Sequence, residues 1–209
     1  MITAIYLSHN RLDFVNQSFL PFMRECKSSL VKQAIIYDDN STDGTSDFLM
    51  SHYYNLPLKF RYIRDEFNSS WKQINSTYPI AEKYILKVDN DIVIPNSYVK
   101  YLFDVMEKDN SIGFAGLRTG KDCYIGDSSL VSVRNIGGVG LFRTEEIRRL
   151  GGIREPMIKE EKRFFGFTDL QNRSNLKKVW VDGMVKDLSK VLKDKQNEYI
   201  NENWTRWMN

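Results

Sequence analysis

The stretch YILKVDNDIVIP, residues 84–95, places Asp89-Asn90-Asp91 directly behind a run of mostly apolar residues. Such a run predicts a buried strand, and the acidic residues mark the point where the strand ends in a loop. Two carboxylates one residue apart can hold a divalent cation through hard oxygen atoms and leave its other positions open for phosphate. Asp and Asn are also common turn residues, so the motif alone fits a strand-ending turn equally well.

Apolar runs and helical patterns alternate on both sides of this stretch, up to about residue 117. This alternation predicts an α/β fold in which a mostly parallel central sheet is flanked by helices. The predicted strands are Ile2–Leu7, Ala34–Tyr37, Leu58–Ile63, Tyr84–Val88 and Ile112–Leu117. The predicted helices are one carrying Val15, Phe19, Phe22 and Met23, then Thr45–Tyr53, Ser70–Glu82, Tyr98–Lys108 and Thr144–Leu150.

A second acidic segment, Asp38–Gly44, follows the second predicted strand and reads DDNSTDG. In open parallel sheets, ligands bind outside the carboxyl ends of the strands, where loops converge and helix amino termini point. We therefore expect this segment and Asp89-Asn90-Asp91 to face one crevice. The strand order that would place them together does not follow from the sequence.

The composition is that of a globular protein with one hydrophobic core: 209 residues, 42% hydrophobic and 27% charged. The net charge of +3 is mild, and Lys and Arg are interleaved with Asp and Glu, so nucleic-acid binding is not predicted. No apolar run approaches the about 18 residues that a membrane span needs. Residues 1–5 lack the basic start of a secretory signal, so we expect no transmembrane segment and residence in the cytoplasm.

The few cysteine and histidine residues argue against a zinc site, thiol catalysis and a histidine-rich metal site. Cys26 and Cys123 lack the spacing of a zinc site and a histidine placed as a thiol base, so we assign them no role. His9 and His52 are the only histidines, which argues against a histidine-rich metal site. Any bound cation is therefore expected to be held mainly by oxygen.

The later part of the chain is less regular. Residues 135–143 carry three glycines, which predict either a close backbone approach by a ligand or a tight packing corner. An aromatic cluster at Phe164–Phe167 precedes Thr168–Arg173, a predicted helix start. Residues 186–209 form a charged helical pattern ending in Trp204 and Trp207, which would pack on the body or mediate self-association.

Taken in order, these motifs resemble the family 2 glycosyltransferases of GT-A fold. The resemblance spans roughly residues 2–182, and Tyr37–Thr45 is its most specific element because an Asp-x-Asp follows two strands later. The matching motifs are Ser8–Arg11, Tyr37–Thr45, Val88–Asp91 with Pro95, Gly137-Gly138 to Gly151-Gly152, and Gly166–Arg173. The resemblance implies a GT-A domain at 1–185, comprising a nucleotide-binding half (1–117) and a short acceptor-side half (118–185), followed by a helical tail (186–209).

The resemblance also implies a nucleoside diphosphate sugar as donor. Asp39 would accept a hydrogen bond from the base, with Asp38, Leu7 and Ser8 framing the same pocket. A carboxylate can pair with the ring N–H of uracil, thymine or guanine, and a UDP-sugar is the first choice. Capping of the following helix is the alternative for Asp38 and Asp39, and one of the two could do only that.

For the diphosphate, the resemblance implies a cation, Mn2+ or Mg2+, bound by Asp91. Asp89 would contact the ribose or the metal, and Asn90 between them belongs to the donor-binding residues. Lys72 is a further candidate near the phosphates, with Arg64 second to it. Solvent exposure is the ordinary alternative for both basic residues.

An inverting enzyme of this family needs a general base for the acceptor hydroxyl, and the resemblance points to Asp169. Thr168 stands where the family usually has Glu, with Arg173 downstream. A different register would put Phe167 in the base's place, and helix capping is an alternative role for Asp169. The histidine that completes the metal shell in some relatives is missing, and Asp182 and Asp187 are the carboxylates near that place.

The predicted function is the metal-dependent transfer of a sugar, with inversion, to a hydroxyl acceptor that we expect to be a glycan or glycoconjugate. After Leu117 the pattern loosens into Gly, Ser and Asp, and this stretch is expected to carry acceptor contacts. A nucleotide-sugar binding module without catalysis is the alternative, and a homo-oligomer could complete the acceptor site. A sugar nucleotidyltransferase is a more distant alternative, because its Gly-rich, basic first loop is absent.

Overall fold

The computed structural model describes residues 1–54, 59–65, 70–137, 139–154 and 167–197. Several residues named above lie outside the described residues, namely Leu58, Gly138, Phe164, Phe165, Gly166, Trp204 and Trp207. The strands are β1 (Ile2–Ser8), β2 (Val31–Asp38), β3 (Phe60–Arg64), β4 (Tyr84–Asp89), β5 (Ile92–Val93), β6 (Ile112–Gly120), β7 (Tyr124–Ser132), β8 (Gly140–Arg143) and β9 (Lys177–Asp187). The helices are α1 (Leu12–Glu25), α2 (Thr45–Tyr53), α3 (Ser70–Thr77), α4 (Tyr98–Lys108), α5 (Thr144–Arg149), α6 (Phe167–Arg173) and α7 (Leu188–Val191).

Within the described residues, the nine strands form one sheet in the order β3-β2-β1-β4-β8-β6-β9-β5, with β7 paired to β9. The strands β3, β2, β1 and β4 are parallel, as the alternation of strands and helices predicts. The sheet then becomes mixed, because β8 runs antiparallel between β4 and β6 while β6 and β9 pair in parallel. The α/β fold class, with a central sheet flanked by helices, is confirmed.

Burial on both faces of the sheet explains the apolar strands. Every residue of β1 is buried, as expected for a parallel strand covered by helices on either side. One face packs against α1 and α4 through residues such as Tyr6 and Phe19. The other face packs against α3, α5 and α6 through residues such as Ile85 and Ile147.

Helix α4, which follows the loop after β5, is capped at both ends by side chains from elsewhere in the chain. The buried Glu25 at the end of α1 accepts the N–H groups of Ser97 (2.9 Å) and Val99 (3.1 Å). At the other end, Arg143 donates to the carbonyl oxygen of Met106 over 2.6 Å. These contacts satisfy backbone groups that a helix end leaves without a partner.

Several features of the secondary structure differ from the prediction. The strands β5 and β9 were not predicted, and β9 runs to Asp187, into the segment predicted as a helical tail. Helix α3 ends at Thr77 instead of Glu82, because Pro79 follows and disfavours helical geometry at the residue before it. The stretch after Leu117, predicted to be irregular, contains the strand β7 (Tyr124–Ser132). This strand is largely exposed, so it lacks the buried face that a sequence pattern would reveal. No helix within the described ranges is long and apolar enough to cross a membrane.

Candidate functional site

Strand β1 lies between β2 and β4, so the two acidic segments flank its carboxyl end. In the parallel register, Ser8 pairs with Asp38 and Leu7 pairs with Asp89. The N–H of Asp39 donates to the carbonyl of Ser8 over 2.8 Å and continues the ladder past the strand. The shared location that the sequence leaves open follows from this strand order.

The end of β1 offers a polar group to this location. Leu7 and Ser8 are both buried, and the Ser8 hydroxyl has no hydrogen-bond partner among the residues that the structure describes. A buried hydroxyl without a partner is costly, so this group is suited to bind a polar ligand atom or a water.

Asp38 and Asp39 are both buried, but the carboxylate of Asp38 is engaged by its own loop. It accepts hydrogen bonds from the Ser41 N–H over 3.0 Å and from the Tyr62 hydroxyl over 2.6 Å. The hydroxyl of Ser46, in the first turn of α2, donates to it as well. Asp38 therefore holds the loop that leads into α2, whereas the sequence left helix capping open for either acid.

Asn10 and Arg11 form a left-handed turn between β1 and α1, with φ values of 50° and 68°. Such conformations are disfavoured for residues other than glycine and persist only where the surroundings hold them. Asn10 donates its N–H to the Ser41 hydroxyl (2.8 Å) and accepts the Thr42 N–H on its side-chain oxygen (2.8 Å). The side chain of Asn90 donates to the Asn10 carbonyl over 3.0 Å and so ties this turn to the loop after β4.

This turn directs Arg11 at Asp91. Nη1 of Arg11 lies 2.9 Å from Oδ2 of Asp91, and the two side chains are only 10% and 20% exposed. Burial raises the pKa of the Asp91 carboxyl above its ordinary value, the charges of Asp89 and Asp187 raise it further, and Arg11 opposes them. The predicted metal ligand thus lies in a buried, acid-rich place that Arg11 balances only in part.

Asp89 pairs with Lys87, an almost fully buried residue inside β4. The two are separated by one residue, which puts their side chains on the same face of the strand. Nζ of Lys87 also lies 5.3 Å from the ring centroid of Phe167, which stacks on Phe142 at 4.5 Å. The first acid of the motif is therefore linked to α6, the helix that carries Asp169.

Of the two aspartates near the missing histidine, Asp187 lies beside Asp91 and Asp182 does not. The end of β9 pairs with β5, and the N–H of Leu188 donates to the Asp91 carbonyl over 2.8 Å. Asp182 faces β7 instead, where its carboxylate accepts the N–H of Asp127 over 3.1 Å.

The side chains here fit a hard divalent cation. Carboxylate oxygens such as those of Asp89 and Asp91 suit Mn2+ and Mg2+. Within the described ranges, no three His, Cys, Asp or Glu side chains are arranged to hold a metal together. The protein offers one or two carboxylates, and phosphate oxygens would supply further ligands.

Asp169 lies in the first turn of α6 and is 22% exposed. Nε of Arg173, one helical turn later, lies 2.8 Å from Oδ2 of Asp169. The same guanidinium donates to the carbonyls of Leu150 (2.7 Å) and Gly152 (2.5 Å). Arg173 therefore orients the carboxylate and anchors α6 to the segment after α5.

The two basic candidates occupy different environments. Arg64, at the end of β3, donates to the Ser41 carbonyl over 3.1 Å and lies 3.9 Å from the Asp38 carboxylate, so it supports the acidic loop. Lys72 is exposed on α3. Of the aromatic cluster, Phe167 is buried against β8, and the rest lies outside the described residues.

The glycine-rich segment serves packing at Gly140. A Cβ there would lie 2.4 Å from the backbone carbonyl of Ala115 in β6, so only glycine allows this contact between β6 and β8. The side chain of Gln171 holds the preceding turn by accepting the Ile136 N–H (2.9 Å) and donating to the Gly137 carbonyl (3.0 Å). At Gly140, the packing-corner interpretation is therefore the correct one.

An open groove of about 460 Å³ lies beside α6, in the half of the chain where acceptor contacts are expected. Two cationic and two amide side chains contribute to its wall, which suits a polar ligand. The lining residues are Val133, Arg134, Gln171, Asn172 and Lys178.

Arg11 and Lys87 contact the acidic motif, and sequence reasoning assigned neither of them a role. Lys87 did carry a signal, because a charged residue inside a strand buried on both faces needs a partner. Arg11 carried none, because its contact with Asp91 joins residues 80 positions apart through a left-handed turn.

Residues 5–170 match the family model described as glycosyl transferase family 2. Among solved structures, the mannosyltransferase PcManGT from Pyrobaculum calidifontis, in complex with GDP-Man and Mn2+, has a TM-score of 0.68 at 12% identity, over 90% of this chain and 56% of that one. S. aureus TarS 1-349 has a TM-score of 0.61 at 14% identity, over 88% and 57%. GalNAc-T7 with UDP, GalNAc and Mn2+ has a TM-score of 0.68 at 10% identity, over 90% and 43%.

At these identities the structural likeness shows the fold alone, and it confirms the GT-A type of the sheet and its helices. This chain spans just over half the length of the first two structures. No curated protein sequence matches it.

Proposed function

We propose, from the premise that this chain belongs to glycosyl transferase family 2, that it moves a sugar from a nucleoside diphosphate sugar to a hydroxyl acceptor. One observation carries the proposal: β1 lies between β2 and β4, so Ser8, Asp39 and the Asp89-Asn90-Asp91 motif share one end of the sheet. Carboxyl ends of parallel strands are where such sheets bind nucleotides.

For the donor, we favour a UDP-sugar held by Asp39. Asp39 directly follows β2 and its N–H pairs with the Ser8 carbonyl, so it lies where the base would bind at the end of β1, and we assign it the ring N–H of the base. The carboxylate of Asp38 is engaged by its own loop. Among the similar solved structures, PcManGT contains GDP-Man, GalNAc-T7 contains UDP, and a further structure of S. aureus TarS 1-349 contains UDP-GlcNAc; both guanine and uracil have such a ring N–H. Leu7 and Ser8 would frame the base from β1.

For the diphosphate, we propose that Asp91, with Asp89, holds a divalent cation. Mn2+ is favoured because PcManGT and GalNAc-T7 contain it, and Mg2+ suits the same oxygen ligands. A cation there supplies positive charge to the diphosphate leaving group. Lys87 pairs with Asp89 and Asn90 holds the turn after β1, so both keep the acidic loop in place.

For the transfer step, we propose inversion with Asp169 as general base. The carboxylate takes the proton of the acceptor hydroxyl, and the hydroxyl oxygen forms the new bond to the anomeric carbon. The diphosphate departs with the electrons of the broken bond. The ion pair with Arg173 positions this carboxylate. Acceptor contacts belong to the half at 118–185, where the polar groove beside α6 suits a glycan or glycoconjugate.

The test compares three proteins in two assays: wild type, Asp91→Asn and Asp169→Asn. UDP binding is measured by calorimetry with and without Mn2+, and turnover is measured as UDP release from a panel of UDP-sugars. Asp91→Asn should abolish the gain in UDP affinity that Mn2+ gives. Asp169→Asn should bind UDP normally and lose transfer by roughly 100-fold or more, the usual scale of a general base.

A fourth protein, Asp104→Asn, is the matched control for Asp169→Asn, because it also removes an ion pair of i, i+4 spacing, in this case from α4. Unchanged metal dependence in Asp91→Asn would remove this residue from the site, and full activity in Asp169→Asn would place the base elsewhere. Metal-dependent UDP binding without any turnover across the panel would instead identify a binding module.

A further inference from the structure

The acidic residues around the proposed metal position each have a basic partner within the protein. The pairs are Asp89 with Lys87, Asp91 with Arg11 at 2.9 Å, and Asp187 with Lys190 at 3.3 Å. The side chains of Lys87 and Arg11 are only 4% and 10% exposed, while that of Lys190 is 46% exposed. The protein itself therefore formally neutralises this cluster. The two buried cations, Lys87 and Arg11, contact the proposed metal-binding motif Asp89-Asn90-Asp91.

Arg11 differs from an ordinary surface cation because the fold holds it in place. Its backbone is in the left-handed conformation, and the neighbouring Asn10 is tied to the loops after β2 and β4. Its guanidinium also lies 5.3 Å from the ring centroid of Phe14, in the first turn of α1. The surroundings of this turn therefore hold Arg11 in a backbone conformation that is uncommon for a residue with a side chain.

A guanidinium and a divalent cation cannot both make full use of the same buried carboxylate. Each is attracted by Asp91, and the two repel one another strongly at short range where water is largely excluded. A metal that binds Asp91 must therefore displace Arg11 or bind beside it against that repulsion.

We propose that Arg11 is the resident counter-cation of Asp91 and suppresses metal binding in the free protein, so that the divalent cation enters together with the diphosphate. This inference rests on the proposed function, since it takes Asp91 as the metal ligand. Diphosphate oxygens give the displaced guanidinium a new partner, because Arg binds phosphate in bidentate geometry. Arg11 would thus exchange a carboxylate for phosphate as the donor arrives.

The experiment measures Mn2+ binding to the full chain without nucleotide, by the loss of the free Mn2+ signal in electron paramagnetic resonance. Arg11→Met removes the charge and keeps a long side chain, while Arg11→Lys keeps the charge. Arg61→Met, at an exposed position on β3, causes the same change in net charge and serves as a control. Circular dichroism shows that each variant is folded before its affinity is compared.

We expect Arg11→Met to bind Mn2+ at least tenfold more tightly than wild type, with Arg11→Lys and Arg61→Met within about threefold of wild type. The double variant Arg11→Met with Asp91→Asn should lose the gain. If Arg11→Met is unstable, Arg11→Gln supplies the same comparison with a polar side chain. Equal or weaker Mn2+ binding in the folded charge-removing variant would overturn the proposal.

A second measurement separates this inference from the proposed function. In wild type, UDP should raise the apparent Mn2+ affinity. This coupling should shrink in Arg11→Met, because Asp91 is then available to Mn2+ before UDP binds. If the coupling between UDP and Mn2+ binding is undiminished in Arg11→Met, the result contradicts the role of Arg11 but leaves the proposed function intact. Coupling that survives Asp91→Asn contradicts the metal site on which the proposed function depends.

Discussion

Asp38 and Asp39 are adjacent, chemically identical and both buried, yet they lie in different environments. Asp38 is the last residue of β2, and its carboxylate is used by Ser41, Ser46 and Tyr62. Asp39 has left the strand, and its backbone is held between the Ser8 carbonyl and the ring of His9. A sequence motif with two acids therefore contains one structural and one candidate binding residue.

Replacing each of the two by alanine should separate stability from binding. Asp38→Ala leaves buried donors without an acceptor, so we expect a loss of about 2–3 kcal/mol in the free energy of unfolding and a fall in Tm of about 4–12 °C. Asp39→Ala should keep the fold and weaken UDP binding by roughly tenfold or more, the scale of a lost charged hydrogen bond. Thermal unfolding measures the stability of both variants, and calorimetry measures their UDP binding. A stable Asp38→Ala together with an unstable Asp39→Ala would contradict these roles.

At the scale of elements, the position of α6 depends on side chains from α5. Glu146 is buried and receives a bidentate pair from Arg149, at 2.7 and 2.8 Å, together with a hydrogen bond from the Ser174 hydroxyl. Ser174 directly follows α6, so Glu146 ties the end of that helix to α5. Arg173 ties the same helix to the segment after α5. The candidate base on α6 is thus held by contacts outside its own helix.

The hydrogen bonds from Arg149 lower the pKa of Glu146 below its ordinary value, against burial, which raises it. A carboxyl with a lowered pKa in the folded state stabilises the protein above its unfolded pKa of about 4.3, and this stabilisation is lost as the pH falls through the lower folded value. We expect Glu146→Gln to cost about 1 kcal/mol at pH 7, since Arg149 is half exposed and its pair is partly screened.

The measurement is the difference in unfolding free energy between wild type and Glu146→Gln from pH 7 down to pH 3. The difference should shrink as the carboxyl of the wild type becomes protonated. Glu145→Gln, an exposed neighbour on α5, is the control and should change stability little at any pH. A difference that stays constant over this range would mean that the ionised form of Glu146 is not what stabilises the fold.

At the scale of the whole molecule, the last described strand reaches the candidate site. Strand β9 runs to Asp187, pairs with β5 directly after the Asp89-Asn90-Asp91 motif, and leads into Leu188, which is fully buried. The division between a domain at 1–185 and a tail from 186 stays a prediction, and this strand pairing gives it a direct test.

Two truncated chains, 1–185 and 1–197, differ in whether they keep these residues. We expect 1–185 to be less stable than 1–197 by about 2 kcal/mol or more, because it loses the β5–β9 pairing and the burial of the Leu188 side chain. It should also bind UDP with Mn2+ more weakly, since the backbone of Asp91 loses its contact with Leu188. Chemical denaturation and calorimetry measure both, and equal stability of the two chains would support a domain that ends at residue 185.

Much of the architecture could be predicted from local patterns. The parallel strands, the helices between them and the acidic strand ends follow from apolar runs and periodic spacing, which depend only on nearby residues. Strand β7 could not be predicted in this way, because both of its faces are largely exposed. Helix α3 was predicted to continue past a proline, but it ends before it.

The sequence by itself determined that acidic loops end two buried strands of an α/β sheet, because side-chain chemistry and hydrophobic periodicity are local properties. Only the tertiary structure decided that β1 separates those strands, that Arg11 lies against Asp91, and that Asp187 and not Asp182 joins them. These contacts join residues far apart in the chain, and they arise from strand pairing and packing that no local pattern encodes.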